Sequence, residues 1–153
     1  MKIALLNEQE TELLGAELWR ILPKQCLVFL NGDLGAGKTT LTRGLLRAAG
    51  HKTAVKSPTY TLVEEYSLST AKLYHFDLYR IKDPEELEWM GMQDYLAEQS
   101  LCFIEWPENG KGFLPKADLE ITLSTMAEGR VADIVNASNN SLKLHWKNKD
   151  IVL

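Results

Sequence analysis

The octapeptide Gly32-Asp33-Leu34-Gly35-Ala36-Gly37-Lys38-Thr39 constrains this chain more than any other feature, because it meets G-x-x-x-x-G-K-[ST] at every defined position. Its surroundings are those the motif requires. Cys26 to Leu30 is a continuous apolar run of the kind found in a strand buried on both faces, and Thr39 to Ala49 reads as a helix stopped by Gly50. Glycines let the loop curl so that successive N–H groups face inward as an anion nest, and the helix adds its positive end. Lys38 supplies a mobile charge for β- and γ-phosphates, and the Thr39 hydroxyl suits Mg²⁺. Nucleotide contacts are therefore expected from Asp33, Leu34, Gly35, Ala36, Gly37, Lys38, Thr39 and Thr40, with ATP or ADP and Mg²⁺ as ligands.

The remaining pattern predicts an α/β fold. It is a single-domain P-loop NTPase over 1–153, with a mainly parallel central sheet extended by antiparallel strands and few flanking helices. Leu14, Leu18, Ile21 and Leu22 give one helix face over Glu8 to Leu22, limited by Pro23. Thr59 to Leu68 and Lys72 to Tyr79 read as a hairpin. Asp83-Pro84-Glu85-Glu86 is a helix start, with an N-cap, a proline at the first helical position and a glutamate three residues past the cap, and Gly91 divides that helix. Leu101 to Ile104 is a second apolar strand ending at Glu105. Leu119/Ile121/Leu123 and Leu142/Leu144/Trp146 alternate as one-sided strands do, with Val131 to Val135 expected between them.

With 153 residues and 45% apolar content, one core is affordable and two ordinary domains are not. No stretch approaches the roughly 18 apolar residues of a membrane helix, and Met1 to Asn7 lacks a signal-peptide layout, so a cytoplasmic protein without membrane association is expected. Cys26 and Cys102 sit in apolar runs as buried thiols. The net charge of −4 conceals a basic stretch, Leu34 to Val63, with no acidic residue, and an acidic one from Asp77 to Glu98. An acidic chain is poorly suited to bind nucleic acid unaided.

A P-loop needs a carboxylate for its metal, usually at the carboxyl end of a neighbouring buried strand. Glu105 fits, either touching Mg²⁺ or holding it through water, and otherwise is a solvated strand-end glutamate. Asp77, set among aromatics, either serves Mg²⁺ through water, orients the attacking water, or lies on the exposed face of a half-buried strand. His75 shares that face and reads as a surface or packing histidine. Ser57 and Thr59 are either γ-phosphate sensors or part of a proline turn entering a strand. Trp106 either flanks the nucleotide or is a core or partner-contact residue.

The ordered set Asn-Gly-Asp-Leu-Gly-Ala-Gly-Lys-Thr-Thr (31–40), Lys-Ser-Pro-Thr-Tyr-Thr-Leu-Val-Glu (56–64), Tyr-His-Phe-Asp-Leu-Tyr-Arg (74–80), Asp-Pro-Glu-Glu-Leu-Glu (83–88) and Glu-Trp-Pro-Glu (105–108) resembles the TsaE/YjeE family. The likeness runs from about Gly32 to Leu114. It implies a Mg-dependent ATPase, weak on its own, in the bacterial tRNA N6-threonylcarbamoyladenosine (t6A) pathway. Such a protein works with TsaB and TsaD, which transfer threonylcarbamoyl to the adenosine beside the anticodon, and meets tRNA only through that complex. The resemblance implies phosphate and Mg²⁺ roles for Lys38 and Thr39, hydrolytic roles for Asp77 and Glu105, and purine contacts for Thr11 and Arg130.

Two other readings compete. A small-molecule P-loop kinase would surround the transferred phosphate with several arginines, whereas the five here are scattered. A nucleotide-dependent binding switch would need no turnover. GTP is disfavoured because Asn148-Lys149-Asp150 lacks the spacer of Asn-Lys-x-Asp.

Overall fold

The computed structural model describes all 153 residues. In chain order the elements are β1 (Lys2–Leu5), α1 (Glu8–Ile21), β2 (Cys26–Asn31), α2 (Lys38–Ala48), β3 (Val63–Ser67), β4 (Lys72–Asp77), α3 (Glu86–Trp89), α4 (Met92–Ala97), β5 (Ser100–Glu105), β6 (Leu119–Thr125), β7 (Arg130–Asn136), β8 (Lys143–Trp146) and β9 (Lys149–Val152). Seven strands form one sheet in the order β1-β7-β6-β2-β5-β4-β3. The four central strands β6, β2, β5 and β4 are parallel, and antiparallel partners extend both edges. Parallel strands must be covered on both faces, which explains the uninterrupted apolar runs of β2 and β5.

The sheet's two faces bury separate cores. Cys26, Val28, Leu30, Leu73, Leu101 and Phe103 pack under α1 and α2, with Leu142 and Leu144 of the β8–β9 hairpin joining that side. Leu27, Tyr74, Phe76, Cys102 and Ile104 face Leu87 and Met92 of the short helices. The two cysteines thus lie on opposite faces and are free thiols.

Helices α1 and α2 meet backbone to backbone. A Cβ on Gly15 would stand 2.1 Å from the Leu41 carbonyl oxygen, and one on Gly44 2.1 Å from that of Glu12. Two side-chain-free positions facing each other allow this approach, and fully buried Leu14, Leu18, Leu41 and Leu45 fill the flanks. Burial of each such leucine contributes about 1.5–3 kcal/mol. The start of α1 is secured by Asn7, whose side chain accepts from the Glu10 amide at 2.9 Å, while the Glu10 carboxylate accepts from the Leu6 amide at 2.8 Å. A hydrogen bond from Lys147, 2.7 Å away, chiefly holds the Glu10 carboxyl below the usual range, and ties the β8–β9 turn to α1.

Several sequence expectations change here. Val131 to Val135 lies between β6 and β1, not between β6 and β8, because β8 pairs only with β9. Thr59 to Leu62 is turn rather than strand: the Leu62 amide donates to the Pro58 carbonyl at 2.8 Å, and Leu62 has φ +70°. The basic stretch is partly neutralised, since Arg43 bonds Glu8 and Glu12, and Arg47 bonds Glu12 at 3.0 Å. No helix is long and apolar enough to cross a membrane.

Candidate nucleotide site

Parallel strands β2, β5 and β4 end side by side, so the residues at their carboxyl ends converge. Asp77 and Glu105 are direct register partners, and Glu105 is also opposite Leu30, two residues before the glycine loop. Both carboxylates are almost wholly buried, at 3% and 4% exposure. That excludes a solvated strand end for Glu105 and an exposed strand face for Asp77. Burying two ionisable carboxyls this close is costly unless cations or donors compensate.

The compensation is visible atom by atom. Lys38 Nζ lies 3.9 Å from Glu105 Oε2 and donates to the carbonyls of Gly32 and Asp33, the latter at 3.0 Å. It also sits 5.2 Å from the centre of the Trp106 ring. His75 Nε2 is 2.9 Å from Glu105 Oε1. Asp77 accepts from the Tyr79 amide at 2.9 Å and from the Thr59 hydroxyl at 3.1 Å, and Thr59 is 2.8 Å from the Ser57 hydroxyl. His75 is therefore not on the surface: it packs fully buried against Glu105, as the packing alternative has it.

Lys38, Ser57, Thr59, Asp77 and Glu105 border one cleft of about 240 Å³. Its lining is Leu34, Gly35, Gly37, Lys38, Thr39 and Thr40 of the glycine loop and the start of α2, Asp77 and Glu105 at the strand ends, Ser57 and Thr59, and Glu8 and Arg130. Gly37 has φ +106° at the entrance to α2, and a Cβ there would fall 1.9 Å from Arg130 Nη1, so the guanidinium lies against the glycine loop. Nε and Nη1 of Arg130 are buried without a hydrogen-bond partner, as is Trp106 Nε1. Trp106 lies against Tyr79 in a tilted pair, with ring centres 5.1 Å apart, and takes a left-handed backbone, φ +55°. Such a conformation is uncommon outside glycine and turns the chain sharply after the Glu105 strand end.

Of the residues singled out in the sequence, Asp33 and Ala36 do not line the cleft, although the Asp33 carbonyl holds Lys38. Thr11 is separate from it. Its side chain is fully buried, with its hydroxyl 3.3 Å from the Asn7 carbonyl, so it offers no surface to a purine. Arg130 does reach the cleft, on the phosphate-loop side. Glu8 was not foreseen, and its only signal was its place at the first turn of α1.

The profile of the family described as "Threonylcarbamoyl adenosine biosynthesis protein TsaE" matches residues 5–132. The chain belongs to the TsaE family. It is 54% identical over 116 residues to the tRNA threonylcarbamoyladenosine biosynthesis protein TsaE of Haemophilus influenzae, covering 76% of this chain and 73% of that one. The protein of the same name from Rickettsia felis is 38% identical over 143 residues, 92% of this chain and 83% of its own. Among solved structures, the crystal structure of Bacillus subtilis YdiB is similar with a TM-score of 0.74 and 27% identity, covering 90% of this chain and 86% of that one.

The donor chemistry fits a nucleotide with a hard cation. Thr39, Asp77 and Glu105 present only oxygen, and no cluster of three or more His, Cys, Asp and Glu residues forms a self-sufficient metal cage. Mg²⁺ commonly uses one or two protein oxygens and takes the rest from phosphate and water. The unmatched donors of Arg130 suit an anion lying on the loop.

Proposed function

We propose that this protein is a Mg-dependent ATPase, slow when alone, that serves t6A formation on tRNA by acting with TsaB and TsaD in the cytoplasm. The single observation that carries the reading is the convergence of Lys38, Thr39, Asp77 and Glu105 on one cleft lined by the glycine loop. The family's printed role in threonylcarbamoyladenosine biosynthesis supports the pathway.

In this reading loop amides and Lys38 would bind the β- and γ-phosphates, and the Thr39 hydroxyl with Glu105 would hold the ion. Bound Mg²⁺ would neutralise charge on the phosphate oxygens. Asp77, braced by Thr59 and the Tyr79 amide, orients the attacking water. Ser57 and Thr59 connect that carboxylate to the 50–62 segment, so the occupancy of the γ-phosphate position reaches the surface through hydroxyl contacts. tRNA is met through the partner proteins, in keeping with the acidic net charge.

Glu105→Gln tests this directly. It should keep ADP affinity within a few-fold while lowering ATP turnover by about 100-fold or more, the scale seen when a single transition-state contact is removed. Unchanged turnover, or transfer of phosphate to an added metabolite rather than water, would refute the assignment.

A further inference from the structure

We infer that His75 is a positioning residue that sets the orientation of the Glu105 carboxylate through Nε2, an inference that rests on the reading of Glu105 given above. His75 lies two residues before Asp77 on β4 and pairs with Phe103, two residues before Glu105 on β5. All four side chains point to the same face. His75 therefore stands one step below the carboxylate pair, and it does not line the cleft. It is fully buried, and its polar contact is Nε2 to Glu105 Oε1 at 2.9 Å. Glu105 Oε2 is left directed at Lys38.

A histidine here is expensive as filler. Its Nδ1 is buried with no partner, whereas leucine or phenylalanine would fill the same space without an unmatched polar atom. The hydrogen-bond inventory assigns the tautomer: a proton on Nε2 serves the carboxylate and leaves Nδ1 a bare acceptor, while a proton on Nδ1 would be a buried donor with nowhere to go. Glutamate has three rotatable bonds, and fixing such a side chain costs conformational entropy. A donor beneath Oε1 removes that freedom before any ligand arrives. Outer-shell donors that orient metal-ligating groups commonly govern affinity by about 10- to 100-fold.

The test compares His75→Leu, which has no donor, with His75→Gln, whose amide nitrogen reaches nearly the position of Nε2. The readouts are the Mn²⁺ affinity of the protein–ADP complex by electron paramagnetic resonance and the ratio of ADP affinities with Mg²⁺ and with EDTA. Wild-type ADP affinity in EDTA, Mn²⁺ affinity weakened about 10- to 100-fold in His75→Leu and largely restored in His75→Gln are expected. Should His75→Leu fail to fold, His75→Asn, whose amide stops short of Glu105, replaces it. Mn²⁺ affinity within two-fold of wild type in the donor-less variant, or equal impairment in His75→Gln, overturns the inference. Glu105→Gln measured alongside separates the two failures. If it weakens Mn²⁺ and His75→Leu does not, only the positioning role falls, whereas no effect from Glu105→Gln removes the Glu105 assignment itself.

Discussion

Replacing Arg130 by methionine should weaken nucleotide binding without weakening the fold. Nε and Nη1 of Arg130 are buried without partners beside Gly37, so the free protein carries an unmet hydrogen-bonding requirement at the mouth of the loop. Buried donors without partners cost about 1–3 kcal/mol each, and a hydrogen bond to a charged group contributes about 1.5–3 kcal/mol. Methionine keeps much of the aliphatic stem and discards the unmatched donors, so the melting temperature without nucleotide should hold or rise. An ADP phosphate that takes even one of those donors would lose about 1.5–3 kcal/mol in the variant, roughly a 10- to 100-fold rise in Kd. Titration calorimetry with Mg-ADP and thermal unfolding without ligand measure the two quantities separately. ADP affinity within two-fold of wild type would refute the reasoning, and so would a melting temperature several degrees lower, which would make Arg130 a structural residue.

Gly44→Ala should be strongly destabilising, because its Cβ would lie 2.1 Å from a backbone oxygen of α1 that no side-chain rotation can move. Overpacking on this scale costs about 3 kcal/mol, or roughly 6–12 °C for a chain of this length, and an unchanged melting curve would contradict the helix contact described. Burial pushes the Cys26 thiol up to about 12 and also raises Cys102. Neither should react with a thiol reagent at pH 8 until the chain unfolds, and rapid labelling of folded protein would contradict their burial. The sign for stability follows: above about pH 9 the unfolded thiol ionises while the folded Cys26 keeps its proton, so its contribution falls as pH rises towards 12.

The glycine loop and its flanks were legible because their information is contiguous: an apolar run, eight diagnostic residues and a helix. Glu105 was legible for a related reason, since an apolar strand that ends in a carboxylate delivers it to the end of the sheet. Pairing was less readable. The edge strands β1 and β9 have four residues each, too few to show a period, and the partner of Val131 to Val135 is set by β1, more than a hundred residues away. For His75 only the surface alternative fails, because alternation along β4 suggests one wet face, whereas β4 is covered on both sides. Counting charge along the chain gives a basic stretch from Leu34 to Val63 that includes Arg43 and Arg47. Tertiary structure sets Glu8 and Glu12 of α1 against it. Thr59 to Leu62 has strand-like composition, yet the Pro58 carbonyl captures the Leu62 amide and closes a turn that brings Thr59 to Asp77.

Calorimetric titration of Mg-ATP into the folded protein and into Lys38→Ala tests the central claim most directly. Lys38 contributes a buried ammonium to the cleft lining, 3.9 Å from Glu105. Saturable binding at one site per chain, lost or weakened at least about 100-fold in Lys38→Ala, is the result this account predicts, equivalent to about 2.8 kcal/mol. No measurable heat from the wild-type protein, or equal affinity in the two, would contradict it.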